Sequence, residues 1–376
     1  MERNKIVYII TRLDKGGSAE NVIDICDRMN SEKYEVTLIH GKGSRPLRAD
    51  YRVFYVPELV RNISLFKDII AFWKIYCLIK KIKPDIVHTH TSKAGFVGRW
   101  ATWLLRTTKI VHNPHGHIFY GYYGKLKTAL FVLLERLTAK ITDKLIALTD
   151  GERNESLAFG VGKSHQWSVI HSEVELKEIR DKRLEIRKKL NIPENSIIIG
   201  TVARLDPIKG IKYFVEAIPL LTYFTTLTFL IVGDGSEKKS LEFRVESLVL
   251  KDKVIFTGMR DDVSELISIM DIYVQPSLNE GMGKTIVQAM MLGKPIIATN
   301  VQGIPSLIKD GERGILVPSK NSQAIADAIK KLLSNKEISQ KVSANAKKWS
   351  TEIVDGYPRF SVERQLYLLN RLYENI

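Results

Sequence analysis

The stretch Asp271-Ile272-Tyr273-Val274-Gln275-Pro276-Ser277-Leu278-Asn279-Glu280-Gly281-Met282-Gly283-Lys284-Thr285-Ile286-Val287-Gln288-Ala289-Met290 decides how this chain is read. Its opening, DIYVQPS, is an apolar run of strand length. From Thr285 onward the pattern is helical. Between them, Asn279–Thr285 places the carboxylate Glu280, the glycines Gly281 and Gly283, and a helix N-terminus at the end of a strand. First-turn N–H groups attract anions, glycine admits close approach to the main chain, and a carboxylate accepts hydrogen bonds from hydroxyls. The combination suits a ligand with a phosphate end and a sugar end, such as a nucleotide sugar. GMGKT also looks like the end of a phosphate-binding P-loop, but that motif needs a glycine five positions before Gly283, and position 278 is Leu.

The same strand-then-helix signal extends in both directions. KIVYII, EVTLIH, RVFYVP, DIVHTH, KIVHNPHG, KLIALT and SVIH read as strands, with helical patterns between them such as 19–29 and 65–83. Pro84 helps end the second of these helices. The polar stretch 173–189 has no strand signal and reads as a linker with a helix opening a second domain. The alternation restarts with SIIIGTVAR, LTFLIVGDG, KVIFTGM, DIYVQPS, PIIATN and GILVP, and a helix follows over about 322–333. Such alternation predicts an α/β protein built as two doubly wound parallel sheets. The segment 361–373 closes the chain as an amphipathic helix with Val362, Leu366, Leu368, Leu369 and Leu372 on one stripe.

Composition narrows the classes. The length of 376 residues fits two domains better than one core. The two cysteines, Cys26 and Cys77, sit in apolar helical patterns, read as buried free thiols, and favour a reducing compartment. The first apolar run is too short for a signal-peptide core, and no run of about 18 apolar residues predicts a transmembrane span; a cytoplasmic protein is expected. Net charge is +15, with Lys42, Arg45, Arg48, Arg52, Arg61, Lys67, Lys74, Lys80, Lys81 and Lys83 opposed only by Asp50, Glu58 and Asp68 between 42 and 83. Zinc-finger spacing, RNA-binding aromatics and a helix-turn-helix pattern are absent, so a nucleic-acid partner is not expected. A phosphorylated substrate or an anionic membrane surface remains. Phe66, Phe72, Trp73 and Tyr76 within this stretch either rest on such a membrane or face a core.

Further strand-end sites carry candidate chemistry. Arg204 and Lys209 in TVARLDPIKG can neutralise a diphosphate, the first by paired contacts and the second as a point charge. Gly233-Asp234-Gly235 is a tight strand-to-helix turn, better explained structurally because it lacks the full dinucleotide spacing, with Gly233 kept among the candidate donor-binding residues. Thr285 and neighbouring N–H groups can meet a phosphate. Gly16-Gly17-Ser18 is either a phosphate or acceptor contact or a plain turn. HNPHGHIFYGYYG sets His112, His115 and His117 after a strand, followed by Tyr120, Tyr122 and Tyr123. No third-ligand pattern supports zinc there; a histidine facing phosphate or sugar is the better reading.

Taken together, LDKGGSAENV, KPDIVHTHTSKAGFVGR, VHNPHGHIFYGYYG, GTVARLDPIKG, LIVGDGSEKKSL, VIFTGMRDDV, DIYVQPSLNEGMGKTIVQAM and GKPIIATNVQGIPSLIKDGERGILVP resemble the retaining glycosyltransferases of family four over nearly the whole chain. The resemblance implies the GT-B architecture, two Rossmann-like doubly wound parallel-sheet domains facing a central cleft. An N-terminal acceptor-side domain (1–176), a C-terminal nucleotide-sugar donor domain (177–352) and a final helix (353–376) packing back on the first domain are expected. It implies that Arg204 and Lys209 hold the donor diphosphate and that Glu280 contacts sugar hydroxyls. Gly281, Met282 and Gly283, with Lys284 and Thr285 beside them, face sugar and phosphate, and His115 or His117 lies near the donor. The second Glu of the family's Glu–seven residues–Glu motif falls at Gln288, which keeps a hydrogen-bonding group and removes a negative charge. No metal or other cofactor is expected.

The expected reaction is retaining transfer from a nucleotide-diphosphate donor, a UDP-sugar foremost, to a saccharide or lipid-linked acceptor in surface glycan assembly. Rivals are a nucleotide-sugar epimerase or hydrolase that needs no acceptor, and a non-catalytic nucleotide-sugar-binding partner suggested by Gln288.

Overall fold

The computed structural model describes residues 3–14, 16–43, 51–106, 108–117, 119, 124–176, 182–221 and 226–376. The chain divides into two compact units, Met1–Glu173 with Ser361–Ile376, and Val174–Phe360. Tyr120, Tyr122, Tyr123, Arg45, Arg48 and Asp50 lie outside the described residues.

The first unit runs β1 (Asn4–Ile10), α1 (Gly17–Arg28), β2 (Tyr34–His40), β3 (Arg52–Tyr55), α2 (Leu65–Ile82), β4 (Ile86–His90), α3 (Ser92–Trp103), β5 (Lys109–Asn113), α4 (Lys125–Ala139), β6 (Lys144–Ala147), α5 (Asp150–Ala158) and β7 (Trp167–Val169). Among the described residues these strands make a seven-stranded sheet in the order β3-β2-β1-β4-β5-β6-β7. Every pair in it is parallel. Parallel strands covered on both faces need apolar side chains on both, and β1 answers with Ile6–Ile10 entirely buried. The strand order reverses between β1 and β4, where Ile10 lies opposite His90. At such a reversal the connections leave in opposite directions and open a crevice beyond the carboxyl ends of the strands.

The second unit runs α6 (Arg183–Lys189), β8 (Ile197–Val202), α7 (Ile211–Ala217), β9 (Leu227–Val232), α8 (Lys238–Ser247), β10 (Val254–Gly258), α9 (Val263–Ile269), β11 (Ile272–Gln275), α10 (Lys284–Met291), β12 (Ile296–Thr299), α11 (Ile304–Leu307), β13 (Ile315–Val317), α12 (Ser322–Ser334), α13 (Lys336–Ser350), β14 (Ile353–Val354) and β15 (Tyr357–Pro358). Among the described residues its main sheet has six strands in the order β10-β9-β8-β11-β12-β13. All are parallel. The reversal here falls between β8 and β11, which pair through Tyr273 and Gly200. The sequence pattern did not mark α13, because its buried stripe is narrow: Val342, Ala346 and Ser350 alone are buried in a lysine-rich helix.

The chain then returns to the first unit as α14 (Val362–Glu374). Leu369, Leu372 and Tyr373 join the core around β1 and α1, with Leu366 and Leu368 packed against it. Polar contacts fix the register: Gln365 donates to Asn21 at 2.7 Å, and the Tyr373 hydroxyl meets Tyr8 at 3.0 Å and His88 at 2.7 Å.

The cysteine reading holds for one residue only. Cys26 is buried, but Cys77 is exposed. Ala71, Ile75 and Ile79 form the inner line of α2, and Cys77, two residues from both Ile75 and Ile79, falls on the opposite side of the turn. The aromatics of α2 divide likewise. Phe72 and Tyr76 pack against the core, whereas Phe66 and Trp73 are 76% and 53% exposed.

Candidate functional site

The loop after β8 and the loop after β11 leave adjacent strands at the reversal of the second sheet. Each carries groups that the sequence singled out. On the first loop, Arg204 Nε lies 2.5 Å from Asp206 Oδ2, and Lys209 ends a short 3-10 turn opened by Pro207. On the second, Glu280 follows the strand end. The two loops meet where Lys209 Nζ donates to Glu280 Oε2 at 2.5 Å. They are also joined by main chain, Leu278 N–H donating to the Ile208 carbonyl at 2.8 Å. The candidate diphosphate cation and the candidate sugar carboxylate are therefore bonded to each other.

Glycine shapes this end of the sheet in two places. Gly233 has φ +136°, and a Cβ there would stand 1.9 Å from the Ala203 carbonyl oxygen. The turn lies against the arginine loop: Leu205 N–H donates to the Asp234 carbonyl at 2.9 Å, and Ser236 Oγ donates to Asp206 at 3.2 Å. Gly233 thus acts by close backbone approach, the structural reading of this turn. Gly283 caps α10 with φ +78°, a conformation that a side chain resists. Gly281 and Met282 precede it and are buried. Lys284 and Thr285 open α10, and Gln288, one turn on, is half-buried.

Beneath Glu280 runs a polar network that sequence reasoning missed. The Tyr273 hydroxyl lies 2.6 Å from Gln275 Oε1 and 2.8 Å from Thr285 Oγ1. Gln275 Nε2 donates to Ser277 Oγ at 2.8 Å, and Ser277 Oγ donates to Glu280 Oε2 at 3.2 Å. Tyr273, Gln275 and Ser277 are buried. The Thr285 hydroxyl is thus tied into the network, and what the start of α10 offers an anion is its first-turn N–H groups. The available signal was QPS itself, two polar side chains in an otherwise apolar strand end.

In the first unit the reversal gathers α1, β4 and the loop after β5. Gly16 is the N-cap of α1, and Gly17 and Ser18 form its first turn. Thr11 and Thr91 bridge β1 and β4 through their hydroxyls at 2.8 Å. Thr91 holds φ +68° and His115 φ +55°. For a β-branched residue that is a strained conformation, of the kind concentrated at functional sites. His115 Nε2 lies 2.8 Å from His90 Nδ1. His117 instead is buried, bonded to Glu155 at 2.8 Å and stacked on Phe119. The two histidines left open by the sequence thus differ: His115 sits half-buried at the strand-end turn, and His117 is locked beneath it. The buried Glu152 carboxylate holds that turn by accepting from Gly116 N–H at 2.7 Å and from Leu148 N–H at 2.7 Å; burial raises its pKa against these bonds. His112 does not face the turn. It lies buried against Thr89, with burial pushing its pKa well down.

Among the described residues no group of three or more His, Cys, Asp or Glu is placed to hold a metal ion. None of the helices there is long and apolar enough to cross a membrane.

Comparison with known proteins finds relatives over nearly the whole chain. The family model for glycosyl transferases group 1 matches residues 182–349, and that for Glycosyltransferase Family 4 matches residues 15–178. The chain is 31% identical over 355 residues to the UDP-Gal:alpha-D-GlcNAc-diphosphoundecaprenol alpha-1,3-galactosyltransferase of Escherichia coli, covering 91% of this chain and 89% of that one. It is 23% identical to the capsular polysaccharide biosynthesis glycosyltransferase CapM of Staphylococcus aureus, covering 93% and 92%. Among solved structures, Anabaena HepE in complex with UDP-glucose superposes with a TM-score of 0.81 at 21% identity, covering 99% of this chain and 100% of that one. WaaG, a glycosyltransferase involved in lipopolysaccharide biosynthesis, gives 0.75 at 17%, covering 96% and 99%. These two likenesses establish the GT-B fold.

Proposed function

This chain belongs to the glycosyl transferases group 1, with a first half of Glycosyltransferase Family 4, and from that premise we propose that it transfers a sugar from a UDP-sugar to a lipid-linked saccharide with retained anomeric configuration. The observation that carries the reading is the contact of Lys209 with Glu280, which joins the loop bearing Arg204 to the loop leading into α10 at the reversal of the second sheet. A cation and a hydroxyl-accepting carboxylate touch there, as a diphosphate joined to a sugar requires. The lipid-linked acceptor is carried over from the Escherichia coli relative, whose name specifies a diphosphoundecaprenol acceptor.

In the reaction, an acceptor hydroxyl forms a bond to the anomeric carbon on the face the diphosphate leaves. The bond from that carbon to the diphosphate oxygen breaks, and the hydroxyl proton passes to the departing phosphate. Arg204 and Lys209 offset the charge that develops on the leaving group, and the dipole of α10 adds to them. Glu280 orients the sugar through its hydroxyls. His115, the half-buried member of the histidine pair, faces the donor, while His117 supports the turn. Gly16, Gly17 and Ser18 serve the acceptor side. Neutralisation by the protein's own cations needs no metal, so EDTA should leave the rate unchanged.

The test is a turnover screen of UDP- and GDP-sugars with and without a lipid-linked saccharide acceptor. Glu280→Ala is expected to lower transfer at least about tenfold, the loss of one transition-state contact of about 1.4 kcal/mol, while UDP still binds. Donor consumption that is equally fast without acceptor would place the protein among hydrolases or epimerases instead.

A further inference from the structure

Both protein donors to Glu280 converge on one of its two oxygens. Lys209 Nζ and Ser277 Oγ donate to Oε2. Oε1 receives no hydrogen bond among the described residues, and it is not among the side-chain atoms sealed from solvent without a partner. One oxygen is held and the other is left to a ligand.

The two donors are not equivalent. Lys209 is the group that must also meet a diphosphate, and its flexible stem lets it exchange one anion for the other. Ser277 cannot leave. It is fully buried, its carbonyl accepts from Thr299 Oγ1 at 2.5 Å, and its own hydroxyl is aimed from behind. Gln275 Nε2 donates to Ser277 Oγ, so the single serine proton is directed to Glu280. The Gln275 amide is turned in its place because its carbonyl oxygen faces the Tyr273 hydroxyl. With Tyr273, Gln275 and Ser277 all sealed from water, solvent cannot substitute for any member, and each bond polarises the next.

We propose that Gln275 and Ser277 are positioning residues that keep Oε2 of Glu280 fixed, and Oε1 presented to the donor sugar, when Lys209 turns from Glu280 to the diphosphate. The proposal rests on the reading that Glu280 meets the sugar. Without the serine hydroxyl, the Glu280 carboxylate has Lys209 as its sole hydrogen-bond partner among the described residues, and it swings wherever that ammonium goes. The same network ends at Thr285 on α10, so the sugar-facing and phosphate-facing ends share one buried scaffold.

Ser277→Ala in the full chain tests this, with UDP as the binding probe and the best UDP-sugar from the screen as donor. The expected result is a fall in kcat of about tenfold, with the Kd for UDP changed less than about twofold. In a Glu280→Ala background, Ser277→Ala should cost nothing further, because the group it positions is gone. Gln275→Glu keeps shape but turns an acceptor toward Ser277; it should reproduce the kcat loss with UDP binding retained. A wild-type kcat in Ser277→Ala, or losses that multiply in the double variant, overturns the proposal while leaving the assignment of Glu280 intact. Full activity in Glu280→Ala alone overturns the functional reading and this inference with it.

Discussion

At the scale of single residues, the sequence marked the charged groups just past the strand ends of the second unit, but not how they are wired together. Arg204, Lys209 and Glu280 announce themselves because cations and carboxylates just past strand ends have few structural uses. What the linear pattern could not supply is that Lys209 and Glu280 are joined across the 70 intervening residues at 2.5 Å. This pairing gives Lys209→Ala two consequences. It removes a charge-assisted contact to the diphosphate, so UDP affinity should fall about ten- to a hundredfold, while a nucleoside without phosphates loses nothing. It also removes a cation that offsets the leaving-group charge, while Ser277 still holds Glu280, so kcat should fall at least about tenfold. Titration calorimetry with UDP and uridine, beside steady-state kinetics, separates the two effects. Gly233 makes a purely steric case. Gly233→Ala drives a Cβ into the Ala203 carbonyl at a backbone angle that side chains rarely adopt, and it should cost about 2 kcal/mol or more of stability. Urea unfolding checks it, and an unchanged midpoint would contradict the close approach described above.

At the scale of elements, the strands and most helices follow from apolar runs and their spacing, and α13 escaped because a narrow stripe among lysines carries little periodic signal. The docking of α14 gave only half of itself to the sequence. Its stripe was visible, but its partners on β1, β4 and α1 were not. Leu369 is buried in that contact, so Leu369→Ala should cost about 2–5 kcal/mol, read as a lowered denaturation midpoint. Buried histidines line β4 and β5, and His88 among them is bonded to Tyr373 of α14. Burial pushes His88 down to about 3 and pushes His90 and His112 well down as well, so all three are neutral in the folded chain. In the unfolded chain each takes up a proton near pH 6.5. The unfolded state therefore binds more protons below that pH. Stability is fully present above about 6.5 and drains as pH falls toward the folded values, by up to about 1.4 kcal/mol per pH unit for each histidine. The buried Glu152 works against this only in the acid range, because its folded pKa is raised. Unfolding free energies at pH 7.5, 6.5 and 5.5 should decline steadily; a flat profile contradicts the neutral, buried state.

At the scale of the whole molecule, a net charge of +15 has a place to act. Lys125, Leu126, Lys127, Leu130, Leu133 and Leu137 are exposed on α4, and α2 exposes Phe66 and Trp73 beside Lys67 and Lys74. Apolar surface bordered by cations fits an anionic bilayer, where a lipid-linked acceptor would reside. The chain should co-sediment with vesicles containing anionic lipid more than with zwitterionic ones. Leu130→Glu with Leu133→Glu should abolish the difference without lowering transfer to a soluble acceptor. Equal sedimentation by the two vesicle types would count against the membrane reading. The sequence by itself determined two doubly wound sheets, because alternating apolar runs of strand and helix length can bury themselves in few other ways, and it marked charged groups just past several strand ends, though not the buried Gln275 and Ser277. Only the tertiary structure decided which strand ends become neighbours. The reversals between β1 and β4 and between β8 and β11 are properties of strand order. Strand order is settled by packing among segments far apart in the chain, which no local pattern records.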